Sequence, residues 1–175
     1  MRRTAELGFL LALALILSYV ESLIPFSFGI PGIKLGLPNL IVLLLLCGRN
    51  EEQTAGGERE ALLVNALRIV LSGFLFSNLY AILYALAGAA FSFLAMIIGR
   101  RSKRFSVVGV SVLGGVFHNV GQLLVAMAVV ETLAVAYYVP FLIVAGTVTG
   151  ALLGVAGMEI LPYLRRMTRE REWNQ

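Results

Sequence analysis

Aspartate is missing from this chain. All ten acidic residues are glutamates, whereas enzymes that handle magnesium diphosphates hold the metal with carboxylates, commonly aspartates. Six of the glutamates (Glu51, Glu52, Glu58, Glu60, Glu170 and Glu172) fall in charged segments that read as solvated. Metal-dependent catalysis by this chain alone is therefore not expected, and neither is a resident cofactor. The one histidine, His118, has no cysteine or carboxylate at ligand spacing and makes a poor metal site. The single cysteine, Cys47, excludes an intrachain disulfide. No GxxxxGK[ST] phosphate loop occurs, so any ATP hydrolysis must come from another chain. Charge is scarce as well: 14% of residues carry one, against about a quarter in soluble domains.

Apolar sequence takes the place of charge. Hydrophobic residues make up 59% of the 175, and the mean hydropathy is +0.88. These values describe an integral membrane protein, read here as all-α and as a single membrane domain over residues 1–175. Six apolar segments predict transmembrane helices at about 5–24, 33–48, 60–76, 78–99, 106–130 and 140–163, with a tail at 164–175. The N-terminus imitates a secretory signal, with Arg2 and Arg3 before an apolar run. No small-residue cleavage site follows that run, so it reads as a retained first helix.

Twelve of the fourteen basic residues fall at the N-terminus, around the second connection, in the RRSKR run at 100–104, or in the tail. With six spans these positions share one face, which the positive-inside rule makes cytoplasmic, together with both termini. The net charge of +4 is thus topological, and no nucleic-acid footprint is seen. The exceptions are Lys34 and Arg68. The polar stretch NEEQTAGGER, residues 50–59, reads as a cytoplasmic turn.

Between the first two apolar runs lies ESLIPFSFGIPGIKLGLPN, residues 21–39, with three prolines and three glycines. Pro25 and Pro31 cannot continue a helix, and irregular backbone at membrane depth must be covered by protein or line a cavity. The helix that follows is too short to span, so the stretch predicts a re-entrant or capping loop that opens to the outside.

Arg68 stands about ten residues into the third segment. A buried charge costs at least ~2.5 kcal/mol on insertion scales, so it requires a reason. Asn65 at i−3 and Ser72 at i+4 extend it into a polar stripe. Two readings remain: an anion clamp, or a structural pair with Glu21. The fifth segment carries GGVFHNVGQ, in which His118 and Gln122 share a face and Asn119 lies beside it. They read either as a pocket wall or as an interhelical hydrogen-bond cluster. Tyr80 and Tyr84, with Asn78, read as an interfacial belt or as the border of a ligand. Gly146, Gly150 and Gly154, like Ala81, Ala85 and Ala89, have helix-packing spacing. Gly8 and Ala12 repeat that spacing on the first helix, where a membrane partner is an alternative to internal packing.

The runs PGIKLGLPN, NALRIVLSG, SNLYAILYALAGAAFSFLAM and SVLGGVFHNVGQLLVA resemble the Gx transporter family, also known as heptaprenyl diphosphate synthase component I. That family is related to the substrate-binding S components of energy-coupling factor (ECF) transporters. The resemblance implies a six-helix S-component fold in a prokaryotic cell membrane, with the loop between helices 1 and 2 capping a small-molecule pocket. Glu21, Pro31, Gly32, Lys34 and Asn39 then belong to the capping loop, and Lys34, Asn39, Arg68, His118, Asn119 and Gln122 contact substrate. Gly8 and Ala12 match a face that docks on a coupling transmembrane subunit carrying two ATPases. The synthase name and the cations beside an apolar interior point to an isoprenoid- or quinone-related ligand, or another anionic amphipath. The alternative function is a non-catalytic membrane subunit that assists a polyprenyl diphosphate synthase.

Overall fold

A computed structural model describes residues 2–23, 36–48 and 54–173, with side chains at 3–23, 36–48 and 57–166. The described residues are helical apart from short turns and contain no strand. They form α1 (Arg2–Leu23), α2 (Asn39–Cys47), α3 (Thr54–Phe76), α4 (Leu79–Arg101), α5 (Val107–Val130), a 3₁₀ helix (Leu133–Tyr138) and α6 (Val139–Trp173). Small polar side chains start several of them by accepting from orphan backbone N–H groups. Asn78 Oδ1 accepts from Ala81 N at 2.9 Å and Ser106 Oγ from Gly109 N at 3.2 Å. Asn78 is therefore a helix cap.

Four helices, α1, α4, α5 and α6, are long and apolar enough to cross a membrane. Their outward faces carry large bare side chains such as Leu152 and Phe141, which suits lipid and not water. α3 matches them in length but holds Glu58, Arg59, Glu60 and Arg68. α2 has nine residues, roughly 13 Å at 1.5 Å per residue, less than half of a ~30 Å hydrocarbon core.

Three expected boundaries change. The second helix begins at Asn39 and not near 33, because Gly36, Leu37 and Pro38 form a turn closed by Asn39 N donating to Gly36 O at 2.8 Å. The third helix begins at Thr54, so much of the expected polar turn is helical. The last helix continues past Pro162 to Trp173 without a break.

α2 is apolar all round because it is surrounded: Ile41 through Cys47 are buried, with α3, α5 and α6 packed against it and α1 and α4 touching it. Its C-terminal carbonyl at Cys47 accepts from Arg165 Nη2 at 2.8 Å, a cation placed where the helix dipole favours one. α5 packs between α4 and α6, while α1 rests mainly on α3. Gly146, Gly150 and Gly154 of α6 lie against the backbone of Gly115, Val112 and Val108 of α5. That glycine run is used for internal packing.

Ion pairs collect at one end of the bundle. Arg3 Nε meets Glu60 at 2.5 Å, and Arg101 holds Glu58 through Nε at 3.1 Å and Nη2 at 2.7 Å. Lys103 and Arg104 follow α4 at this end, and Arg165 reaches Cys47 O there from within α6. The opposite end holds the Tyr19–Phe76 ring contact, with centroids 5.0 Å apart, and the turn before α2.

Candidate functional site

A cavity of about 50 Å³ opens at the Tyr19–Phe76 end. Ser18, Glu21 and Ser22 of α1 line it, with Gly36 and Pro38 of the turn and Asn39 at the head of α2. Arg68, Ile69, Ser72, Gly73 and Phe76 of α3 and the following Ser77 form another wall, and Ala81 and Ala85 of α4 and His118 and Gln122 of α5 close it. Its origin is the shortness of α2: α1, α3, α4 and α5 extend past its first residue and leave a recess above it. Of α2 itself, the first residue, Asn39, reaches the recess. A water needs about 10–15 Å³ by this measure, so the recess takes a small polar group and not a whole amphipath.

Arg68 is the most constrained charge in the cavity. It lies about 12 Å in from the Phe76 end at 1.5 Å per residue, and only 7% of its surface is exposed. Nη2 donates to Asn65 Oδ1 at 2.6 Å, which uses the polar stripe read in the sequence. Its buried Nε has no acceptor among the described residues. Glu21 lines the same recess, where its charge acts on Arg68, and its Oε1 accepts from Gly36 N. That bond ties α1 to the turn before α2. Gly36 takes φ +73 there, a left-handed conformation that glycine adopts without strain.

On α5, Gln122 Nε2 lies 3.1 Å from His118 Nε2. The two side chains, one turn apart on the same helix face, are thus hydrogen-bonded to each other. Both side chains press on Gly88 of α4, where an added Cβ would stand 2.9 Å from Gln122 Cγ and from His118 Cε1. Gln122 Oε1 is buried and has no partner among the described residues.

Five expected site residues are thus brought together: Glu21, Asn39, Arg68, His118 and Gln122. Asn119 is not among them. It lies about 100° round the helix from His118, and its Nδ2 donates to Leu142 O of α6 at 2.9 Å. Its position joins α5 to α6. Lys34, Pro31 and Gly32 lie outside the described residues. Gly8 and Ala12 fall on an exposed strip of α1, and a Cβ on Gly8 would meet nothing within 4 Å. Tyr80 is exposed, and neither it nor Tyr84 lines the cavity. Sequence reading missed Ser18, Ser22 and Ser77. A signal existed for two of them, since residues 18, 21 and 22 share a helix face. Among the described residues no group of three or more metal-ligating side chains forms.

Over residues 10–160 the chain matches the family described as heptaprenyl diphosphate synthase component I. The chain belongs to that family. Component I is a non-catalytic part of the synthase its description names, and the matched span contains every residue that lines the cavity. No curated protein and no solved structure matches the chain.

Proposed function

We propose that this component I chain is a substrate-binding membrane subunit, S-component-like, of a small-molecule transporter. One observation carries the reading: the Arg68 guanidinium, buried among the helices, lines an open recess, and its Nε has no acceptor among the described residues. Such a charge is costly to retain, and a ligand oxygen at Nε offsets that cost. The ligand is an amphipath, isoprenoid- or quinone-related, whose polar group enters the cavity. Arg68 holds that group, the hydrogen-bonded His118–Gln122 pair orients it, and Asn119 acts by fixing α5. Lys34 and Asn39, with Glu21, Pro31 and Gly32, belong to a capping loop over residues 21–39. The basic end of the bundle faces the cytoplasm of a prokaryotic cell with both termini, and residues 1–175 act as one domain. The exposed Gly8–Ala12 strip is the docking face for a coupling subunit and its ATPases.

The family description supports a second reading, a membrane subunit that assists a prenyl diphosphate synthase. Mild purification of the tagged chain from its host separates the two. Co-purifying ATPases with a membrane coupling protein support transport; a soluble aspartate-rich synthase supports assistance. Arg68→Ala tests the site itself. A charged hydrogen bond is worth about 1.5–3 kcal/mol, so affinity for the co-purifying amphipath falls roughly 10- to 150-fold. Unchanged affinity removes Arg68 from the site.

A further inference from the structure

Two basic segments far apart in the sequence meet at one corner of the bundle. The first, Arg100 to Arg104, closes α4, and the second, Arg165 and Arg166, belongs to α6. The C-terminal end of α2 brings them together. Arg165 Nη2 donates to Cys47 O at 2.8 Å, and the charges of Arg100 and Arg165 both act on Cys47. Carboxylates are placed elsewhere. Glu58 and Glu60 of α3 are engaged by Arg101 and Arg3, and Glu6 lies on α1. The carboxylate described on this stretch of α6 is Glu159, against Arg100, Lys103, Arg104, Arg165 and Arg166. Among the described side chains the corner therefore holds more cations than carboxylates, and Lys103, Arg104 and Arg166 are exposed.

The surroundings of these cations select the kind of anion they meet. On α4, Leu94, Ile98 and Arg101 follow at i, i+4 and i+7 and are all exposed. On α6, Leu152, Val155, Glu159, Tyr163 and Arg166 keep the same helix-face spacing and are exposed too. Phe105, also exposed, adjoins Arg104. Each basic segment thus ends a stripe of bare apolar side chains. A soluble anion gains nothing from such stripes, and an acidic protein docked on the end of the bundle leaves them uncovered. A phospholipid uses both features. Its phosphate meets the cations while its acyl chains lie along the stripes, and the apolar stems of Lys and Arg bridge the boundary.

We propose that the corner formed by the end of α4 and by Arg165 and Arg166 of α6 binds the phosphate of an anionic phospholipid. Arg165 holds the end of α2, whereas Lys103 and Arg104 meet the phosphate from one side and Arg166 from the other. No residue of the recess takes part, so this site is independent of the ligand reading above.

The test is lipid competition on the purified full chain in neutral detergent, with a fluorescent phosphatidylglycerol as the reporter. Unlabelled phosphatidylglycerol, phosphatidylcholine with the same acyl chains, soluble glycerol phosphate and a polyglutamate peptide compete in turn. Each basic side chain near an anionic headgroup contributes about fivefold. Phosphatidylglycerol should therefore be preferred to phosphatidylcholine by about tenfold or more at ~0.1 M salt. The preference should shrink severalfold at ~1 M salt, where the Debye length is about 3 Å. Replacing all three exposed cations, as Lys103→Gln, Arg104→Gln and Arg166→Gln, should leave a preference of about twofold or less. Arg104→Gln alone should weaken the anionic lipid about fivefold, and Arg59→Gln, which removes an exposed cation from α3, should not. If the triple variant does not fold, these two single variants and the salt dependence decide the matter. Equal affinities for the two lipids, an unchanged preference in the folded triple variant, or equal effects of Arg104→Gln and Arg59→Gln overturn the inference. Tighter binding of glycerol phosphate or of the peptide than of phosphatidylglycerol also overturns it, and makes the corner a site for a free anion or an acidic protein.

Discussion

Gly146→Ala tests the tertiary structure by adding one methyl group, and the chain supplies its own reporter. A Cβ at Gly146 would stand 2.8 Å from the carbonyl carbon and oxygen of Gly115 and from Val116 Cα, all backbone atoms, where ordinary contact begins near 3.4 Å. No side chain can turn aside to make room, so α5 and α6 must part by roughly 0.6 Å. The displacement also loosens Gly150 against Val112 and Gly154 against Val108, which are equally close. Overpacking of this kind costs about 1–3 kcal/mol. Ala gains about 1 kcal/mol over Gly in a helix interior, so the control matters. Gly8→Ala brings the same propensity gain and meets nothing within 4 Å. The two variants should therefore differ by about 1–3 kcal/mol, or several degrees in Tm at ~2–4 °C per kcal/mol for a chain of this size. Cys47 is the only cysteine and is 7% exposed, so a thiol-reactive dye reports unfolding with no engineering. Equal melting temperatures for Gly146→Ala and Gly8→Ala would refute the α5–α6 packing.

Three further outcomes follow from the same geometry. Gly88→Ala pushes on Gln122 and His118 from the far side, at 2.9 Å. It should weaken ligand binding severalfold although Gly88 does not line the cavity, as titration of the variant will show. Glu21→Gln replaces a charge-assisted acceptor for Gly36 N with a neutral one, about half as strong. Hydrogen exchange at the Gly36 amide should rise in that variant, and an unchanged rate would remove the bond between α1 and the turn. Asn78→Ala removes the cap on α4 at about 0.5–2 kcal/mol. The Cys47 assay should register that loss with ligand affinity intact, in contrast to Arg68→Ala.

Much of the site was legible in the sequence because charge and hydrogen-bonding groups are so rare in this chain. Arg68 stood out as a cation inside an apolar helix, and the i, i+4 spacing of His118 and Gln122 put them on one face. Asn119 shows where the reading stops. Helical periodicity places it 100° from His118, but which neighbour occupies that side depends on packing, and the neighbour is Leu142 of α6. The serines of α1 were passed over because hydroxyls in membrane helices commonly bond their own backbone carbonyls, as these do. Only their position on a shared cavity makes the remaining lone pairs count. The start of α2 was misplaced since Ile33, Leu35 and Leu37 carry apolar residues up to the helix, while the Gly36–Asn39 turn is set by local bonding.

The sequence by itself determined the membrane class, the helical class and the ends that carry positive charge, since these follow from composition, from segment length and from the cost of burying charge. It also determined that metal-dependent catalysis was not to be expected, because aspartate is absent. The tertiary structure decided the rest. Arg68, Glu21, His118 and Gln122 come from three helices far apart in the chain, and only the shortness of α2 leaves the recess in which they meet. Which hydrogen-bonding side chains share that recess depends on how the helices pack, which no single segment contains.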